Sequence, residues 1–272
     1  MKTTLAKTRL LGSILAVCIT AAFQTESARA TTINLNDANL TPAPTDPGVI
    51  NGAIFTTNFQ QPAGTGVIDP FLTIQSAPTE QGYNGTNGNF DTKRVPQWNH
   101  PITLGSLATV TLNGQQYYQF IVDVNEPNAT ATSTISLDML SVWTSPTLQD
   151  STSTDSSGLF NGSLGTLRYN MSTSLGQNSV LYYDGNSGSG QADIAIYIPV
   201  ADFAGASSSD YLYMYQAWGN SLPSSGGYEE TFGVMNPGST SVPEASALIP
   251  LLGVLGMVIA GPVIRRKLLA TA

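Results

Sequence analysis

Few side chains in the chain suit catalysis. A serine hydrolase needs a histidine and an acid within reach of its nucleophile. The one histidine is His100, and no Gly-x-Ser-x-Gly sequence stands between residues 31 and 241. A glycosidase needs two carboxyl groups about 5–10 Å apart, but the adjacent Glu229 and Glu230 predict opposite faces of a strand. We therefore expect no catalytic residues, and a packing or loop role for His100.

Calcium binding is the better-supported chemistry, because calcium takes oxygen ligands from carboxylates, amides and carbonyls. Two stretches are rich in such oxygens. One is the strand end at 123–126 together with an acid in the following strand, and the other is the loop 184–193. The candidate ligands are Asp123, Asn125, Asp138, Asp184, Asn186 and Asp193. Neither stretch matches an EF-hand, and the alternative is the ordinary turn chemistry of Asn, Asp and Gly.

Aromatic residues supply a second candidate site. The segment YLYMYQAW carries four of them at strand-like spacing: Tyr211, Tyr213, Tyr215 and Trp218. Aromatic rings with polar tips suit stacking against sugar rings, so this set is a candidate glycan-binding platform. The alternative is packing of the same rings on a half-buried strand, with Leu212 and Met214 on its other face.

The elements that position these residues are predicted to be strands. No segment carries a sustained helical period, whereas short runs with period-two alternation are common. The clearest runs are 116–124 (QYYQFIVDV), 192–200 (ADIAIYIPV) and 211–218. Further candidate strands are Ala53–Phe59, Phe71–Gln75, Ile135–Trp143, Val180–Tyr183 and Thr231–Met235. This pattern predicts an all-β fold with a β-sandwich or jelly-roll-like body.

Turn and linker residues complete the predicted body. Asn113-Gly114 joins two strand-like runs, and both residues accept the positive φ that a type I′ hairpin turn requires. The body spans residues 31–236, with 144–166 as a long loop and a candidate internal boundary. Residues 237–241 form a short polar linker to the tail.

Charge excludes one class of partner. Between Thr31 and Val242 the chain has three basic residues, Lys93, Arg94 and Arg168, against sixteen acidic ones, a formal charge of −13. Proteins bind phosphate backbones mainly through Lys and Arg. We therefore expect no nucleic acid as a partner.

The first thirty residues have the pattern of a secretory signal peptide. A basic start is followed by an apolar run of fourteen residues, 10–23, which is short for a membrane span. Ala28 and Ala30 fit the small-x-small cleavage site, so signal peptidase is expected to leave Thr31 as the first residue. The only cysteine, Cys18, lies in the removed segment, so the mature chain would form no disulfide.

The carboxyl end predicts one membrane helix. Residues 245–264 carry no charge, and twenty residues at 1.5 Å each match a hydrocarbon core of about 30 Å. The basic cluster that follows consists of Arg265, Arg266 and Lys267. By the positive-inside rule this cluster stays cytoplasmic and stops transfer, which places the body outside the cytoplasm.

A sequence motif precedes this helix. Val242, Pro243, Glu244 and Ala245, then the apolar span and the basic cluster, resemble the PEP-CTERM sorting signal, with Ala245 where that motif usually has proline. The resemblance implies a Gram-negative bacterium that makes extracellular polysaccharide, and cleavage near Pro243-Glu244 by an exosortase. The body is also similar, more loosely, to uncharacterised exported proteins with the same tail. The alternative is a plain membrane anchor.

Together these features predict an exported protein that is held briefly in the inner membrane and then passed to the cell surface or the extracellular polysaccharide matrix. Its expected role is structural or adhesive, without catalysis and with calcium as the one candidate cofactor. The alternative is an extracellular glycan-binding module or glycan-active enzyme.

Overall fold

The structure is a computed structural model, and it describes residues 30–60, 69–127, 133–184 and 192–235. Within these ranges the chain forms fourteen strands and two short 3-10 helices, Leu104–Ser106 and Val200–Phe203. The strands are β1 (Thr31–Asn34), β2 (Gly48–Ile50), β3 (Ala53–Thr56), β4 (Leu72–Ile74), β5 (Glu80–Tyr83), β6 (Ile102–Thr103), β7 (Thr109–Leu112), β8 (Gln115–Val124), β9 (Thr134–Ser145), β10 (Thr166–Asn170), β11 (Asn178–Tyr183), β12 (Ile194–Pro199), β13 (Tyr211–Trp218) and β14 (Glu229–Gly233).

The strands form two seven-stranded sheets. Sheet A has the order β1-β11-β9-β13-β5, with β10 also paired to β9 and β6 to β13. Sheet B has the order β2-β3-β12-β8-β14-β4, with β7 also paired to β8. Only β1 and β11 pair in parallel among the described strands. The expected all-β, sandwich-like architecture is confirmed, and the jelly-roll order stays a prediction.

The main apolar core lies between the two sheets. In β13, Leu212 and Met214 belong to this core, whereas Tyr213 and Tyr215 pack on the outer face of sheet A. This is the alternation that the sequence predicts, because successive side chains of a strand point to opposite faces. In β12, Ile194, Ile196 and Ile198 likewise enter the core.

The predicted hairpin is confirmed. Asn113 and Gly114 have φ values of 50° and 83°, and the residues on either side, Leu112 and Gln115, are paired across the turn. Two consecutive positive φ values fit a type I′ turn, whose twist matches that of the flanking strands.

The predicted strands all occur, with shifted ends, but several short strands were not predicted: β1, β2, β5, β6 and β10. The observed loop comprises residues 146–165, slightly fewer than the predicted 144–166. It connects β9 to β10, which are neighbours in sheet A. Strands from both sides of this connection pair within each sheet. A boundary there would therefore cut through both sheets.

Three predicted segments lie outside the described residues: the signal peptide up to residue 29, which includes Ala28, the linker, and the tail with its sorting motif, apolar span and basic cluster. Ala30 is the first described residue and is exposed. Among the residues that the structure describes, no helix has both the length and the apolar character needed to cross a membrane.

Candidate functional site

The connection between β9 and β10, residues 146–165, folds back over the outer face of sheet A; we call it the covering loop. Its start is tied to β5. The backbone N–H of Ser151 donates to the Tyr83 hydroxyl at 2.7 Å, and this hydroxyl can donate to the Ser151 carbonyl at 2.9 Å or to Asp150 Oδ1 at 3.1 Å. The side-chain amides of Asn87 and Asn89 also donate to Asp150. The loop is therefore fixed by several bonds.

Aromatic packing holds the second half of the covering loop. The Phe160 ring lies with its centroid 5.5 Å from that of Tyr83 and 5.2 Å from that of Tyr215, and Leu164 is buried in the same cluster. Aromatic pairs at such separations stabilise a fold beyond the area that they bury. Burial raises the pKa of Tyr83 to about 12, so its hydroxyl stays protonated at neutral pH.

Gln81 connects the strand, the loop and the aromatic cluster. Its side-chain Nε2 donates to the Gly158 carbonyl at 2.8 Å, and its Oε1 accepts from the Phe160 N–H at 3.0 Å and from the Tyr215 hydroxyl at 2.9 Å. Two of these contacts join β5 to the covering loop, and the third joins β5 to β13. One side chain thus satisfies polar groups from three segments.

Between the covering loop and sheet A lies a cleft of about 440 Å³, the outer cleft. Its apolar part includes the half-buried Trp143, Met139 and Leu159. Its polar side chains are Ser141, Asp155, Ser157, Asn161, Asn170, Ser172, Thr173 and Ser174. The Trp143 indole N–H donates to Ser141 Oγ at 2.9 Å, which fixes the ring against the strand.

The outer cleft carries little charge. Among the described residues that line it, Asp155 is the one carboxylate, and its Oδ1 accepts from the N–H groups of Ser157 and Leu159 at 2.7 and 3.1 Å. Asp155 therefore builds the turn. Hydroxyls, amides and one partly exposed indole ring suit an uncharged, polyhydroxylated ligand better than an ionic one.

The predicted aromatic platform on β13 is not available as an exposed surface, which corrects that expectation. Tyr213, Tyr215 and Trp218 are buried, and Tyr211 is half-buried. Tyr213 and Tyr215 lie under the covering loop, and Trp218 faces the core between the sheets. The packing alternative therefore describes these residues. Among the half-buried rings of this face, the one that lines the outer cleft is Trp143 on the neighbouring strand.

The candidate calcium ligands are only partly brought together. Asp123, Asp184 and Asp193 converge on Tyr182, whose hydroxyl donates to Asp193 Oδ1 at 2.7 Å. Burial raises the pKa of Tyr182, and all three carboxylates raise it further. Asp193 Oδ2 also accepts from the Val124 N–H at 2.7 Å.

The other candidate ligands lie apart. Asp138 stands on β9 in sheet A, whereas Asp123 stands on β8 in sheet B, so the two residues do not lie on paired strands, and their joint role in a calcium site stays a prediction. Asp138 accepts from the hydroxyl of Ser221 at 2.6 Å and holds the turn after β13. Asn125 donates to the Tyr228 carbonyl at 3.0 Å, and Asn186 lies outside the described residues. Within the described ranges, no group of three or more acidic, His or Cys residues is arranged to hold a metal ion.

A buried cluster of carboxyl groups was not predicted from the sequence. Glu80 of β5, Glu229 of β14 and Glu126, just after β8, all lie at one end of the space between the sheets. Glu126 Oε1 accepts from the Ser224 hydroxyl at 3.0 Å, and its Oε2 accepts from the Ser225 N–H at 2.9 Å. Burial raises the pKa of all three carboxyl groups. The one signal in the sequence was that Glu229 and Glu230 are adjacent, so that in a strand one of the two must point towards the inner face.

Comparison of the chain with known protein families, with curated proteins and with solved structures finds no match. The functional argument therefore depends on the residues and geometry of this chain.

Proposed function

We propose that the chain is an exported protein of the cell surface or extracellular polysaccharide matrix, with an adhesive role and no catalysis, and that it holds a neutral glycan in the outer cleft. The observation that carries the adhesive part is the cleft itself. It combines the half-buried ring of Trp143 with a wall of hydroxyl and amide groups, the usual means of holding a sugar ring.

Charge supports a neutral ligand. Among the described residues, no Lys or Arg lines the outer cleft, and the body between Thr31 and Val242 has a formal charge of −13. Such a surface repels carboxylated or sulfated chains at low salt. We therefore expect neutral hexose polymers to bind better than uronate polymers.

The glycan-active enzyme remains the alternative function. It would need a second carboxyl group beside Asp155 in the outer cleft, and the lining residues Ser157, Asn161 and Asn170 are uncharged. A hydrolase panel distinguishes the two functions. Turnover of any tested glycan that Asp155→Asn abolishes would make the chain an enzyme.

The test of binding is a glycan array with the purified protein and two tryptophan variants. Trp143→Ala removes the ring in the outer cleft and should weaken binding about 5- to 30-fold, because ring stacking and burial contribute on the order of 1–2 kcal/mol. Trp98→Ala is the matched control, since Trp98 is also partly exposed but lies in the loop before β6. Equal losses in both variants, or no binding by the wild type, would contradict a glycan site in the cleft.

Export and sorting are the second part of the proposal, and they depend on the sequence of residues 1–30 and 242–272. Signal peptidase would cut after Ala30, the apolar span would hold the chain in the inner membrane, and an exosortase would cut near Pro243-Glu244. Because the residue before a proline is disfavoured in the helical region, we expect this point to be extended and accessible to a protease.

Fractionation of cells tests the sorting step. An epitope tag after Thr31 should follow the wild-type body to the surface or medium in a host with exosortase. Replacing Pro243-Glu244 by Ala-Ala should leave export intact and trap the full-length chain in the inner membrane, as should deletion of the exosortase. A wild-type chain that stays full-length in the inner membrane of this host would show that the tail is only an anchor.

A further inference from the structure

Two carboxyl groups from opposite sheets meet inside the molecule. Glu80 lies on β5, the edge of sheet A, and Glu229 lies on β14 in sheet B. Their exposures are 2% and 0%. Neighbours of Glu229 in the strand register are Ile74 and Val124, both members of the apolar core. The pair therefore stands between the sheets, where water does not reach it.

Few hydrogen-bond donors surround this pair; besides the Ser76 N–H, the Ser224 hydroxyl also acts on Glu80. Glu80 Oε2 accepts from the Ser76 N–H at 2.8 Å. Glu80 Oε1 and both carboxyl oxygens of Glu229 have no donor among the described residues, although the two carboxyl groups lie within hydrogen-bonding reach of each other. A buried acceptor without a donor is costly, and a buried charge without a partner costs more. A proton on one carboxyl group supplies the missing donor.

The charged groups around the pair give no compensation. Apart from Glu80, the charge that acts on Glu229 is that of Glu126, which is also acidic. Lys93 faces the other side of β14, where it acts on Glu230. Its amino group is held by the Tyr228 hydroxyl at 2.7 Å and lies 4.1 Å from the centre of that ring. No described cation neutralises the pair from within the core.

We propose that Glu80 and Glu229 share one proton at neutral pH, and that the resulting hydrogen bond links the two sheets at this end of the molecule. When the pH rises, the proton is released to solvent and this link between the sheets is lost. The protonated carboxyl of Glu229 donates to the carboxylate of Glu80. After release, two adjacent carboxylates and Glu126 repel one another in a poorly solvated space. This device is independent of glycan binding.

The sign of the pH effect follows from the direction of the pKa. Burial raises the pKa of Glu229 well above its usual value, and the hydrogen bond to Glu80 raises it further. A group whose pKa is higher in the folded state contributes stability that is full below its unfolded pKa and is lost as the pH rises through its folded pKa. For one proton, the folding equilibrium constant falls about tenfold per pH unit between these two values.

The test is urea unfolding of the full chain from acid to alkaline pH. In Glu229→Gln the amide donates permanently to Glu80, so the fall in stability with pH that wild type shows should be largely lost. Glu230→Gln is the matched control, because it changes the adjacent residue on the opposite face and should keep that fall. Equal slopes in wild type and Glu229→Gln would overturn the proposal. So would stabilisation of wild type by millimolar calcium that EDTA reverses and Glu229→Gln abolishes, because a cation would then join the carboxylates.

A second measurement needs no variant. Infrared spectra of wild type with carbon-13-labelled glutamate should show a protonated-carboxyl band at neutral pH that disappears at alkaline pH. Unlabelled aspartate separates this band from other acids. Absence of the band at neutral pH, in a folded sample, would overturn the proposal even if Glu229→Gln does not fold.

Discussion

Two neighbouring residues of β5 belong to two different regions of the molecule, the outer cleft and the buried carboxyl cluster. Gln81 points outward, and all its polar side-chain atoms are matched by the covering loop and Tyr215. Glu80 points inward and meets another acid. The outer region thus fixes the cleft by hydrogen bonds in which donors are matched to acceptors, including the carboxylates of Asp150 and Asp155. The inner region concentrates charge that only a bound proton or cation relieves, which makes it responsive to conditions.

The two regions should respond to pH with opposite signs. Burial alone would raise the pKa of Asp150, but hydrogen bonds from Asn89, Asn87 and Tyr83 lower it below its usual value. A lowered pKa gives stability that is present above the unfolded pKa and is lost as the pH falls through the folded pKa. The pKa of Glu229 is raised, so its contribution is lost in the other direction. Acid loosens the covering loop, and alkali loosens the carboxyl pair.

The largest expected effect is in the outer region. Tyr83→Ala removes a fully buried ring that contacts Phe90, Phe160 and Tyr213, and should lower the free energy of unfolding by about 3–5 kcal/mol. Tyr83→Phe keeps the ring and should cost about 1–2 kcal/mol, the usual cost of a lost hydroxyl with its buried partners. Urea unfolding measures both. Equal costs would mean that the hydroxyl, rather than the ring, holds the covering loop.

A smaller effect sharpens the inner region. Glu126→Gln removes one negative charge near Glu229 while its amide oxygen can still accept from Ser224 and Ser225. Because the negative charge of Glu126 raises the pKa of Glu229, its removal should move the alkaline fall in stability to lower pH by on the order of one unit, or about 1.4 kcal/mol. Unfolding at several alkaline pH values measures the shift. An alkaline midpoint that is unchanged or moves to higher pH would mean that the charge of Glu126 does not act on the pair.

The smallest effect concerns Asp150. Asp150→Asn weakens the bonds from Asn87 and Asn89 and should cost about 0.5–1 kcal/mol at pH 7, because the residue is exposed and screened by solvent. The difference from wild type should vanish in strong acid, where Asp150 is protonated in both states of wild type. Unfolding at pH 7 and in strong acid tests this. A difference that persists in acid would point to the shape of the side chain and not its charge.

Sequence periodicity predicted the long strands well because their two faces meet different surroundings. In β12 and β13 the apolar and aromatic residues alternate as the two faces require. In β14, a rule that places the apolar face in the core would turn Phe232 inward and Glu229 outward. The structure has the reverse: Phe232 packs on the outer face of sheet B, and Glu229 enters the core. Alternation cannot tell which apolar face meets the other sheet when both faces are covered.

The candidate site was less predictable for a different reason. Trp143 ends a predicted strand, but its role depends on the covering loop, whose turn-rich sequence carries no periodic signal. Short strands such as β5, with the sequence EQGY, contain a charge and a glycine and also lack a pattern. Their place is set by partners far along the chain. Glu80 therefore meets Glu229 through pairings that local sequence does not encode.

The order of the strands has a consequence for how the protein is made. β5 pairs with β13, where Gln81 bonds to Tyr215, 134 positions later. β4 pairs with β14, and just beyond these strands Gln75 bonds to Gly226, 151 positions later. A chain that emerges amino end first cannot complete either sheet until residues 211–233 have emerged. Closing loops this long carries an entropic cost before any contact repays it, and makes folding slow. We therefore expect both sheets to stay incomplete for most of synthesis, a state compatible with the export proposed above.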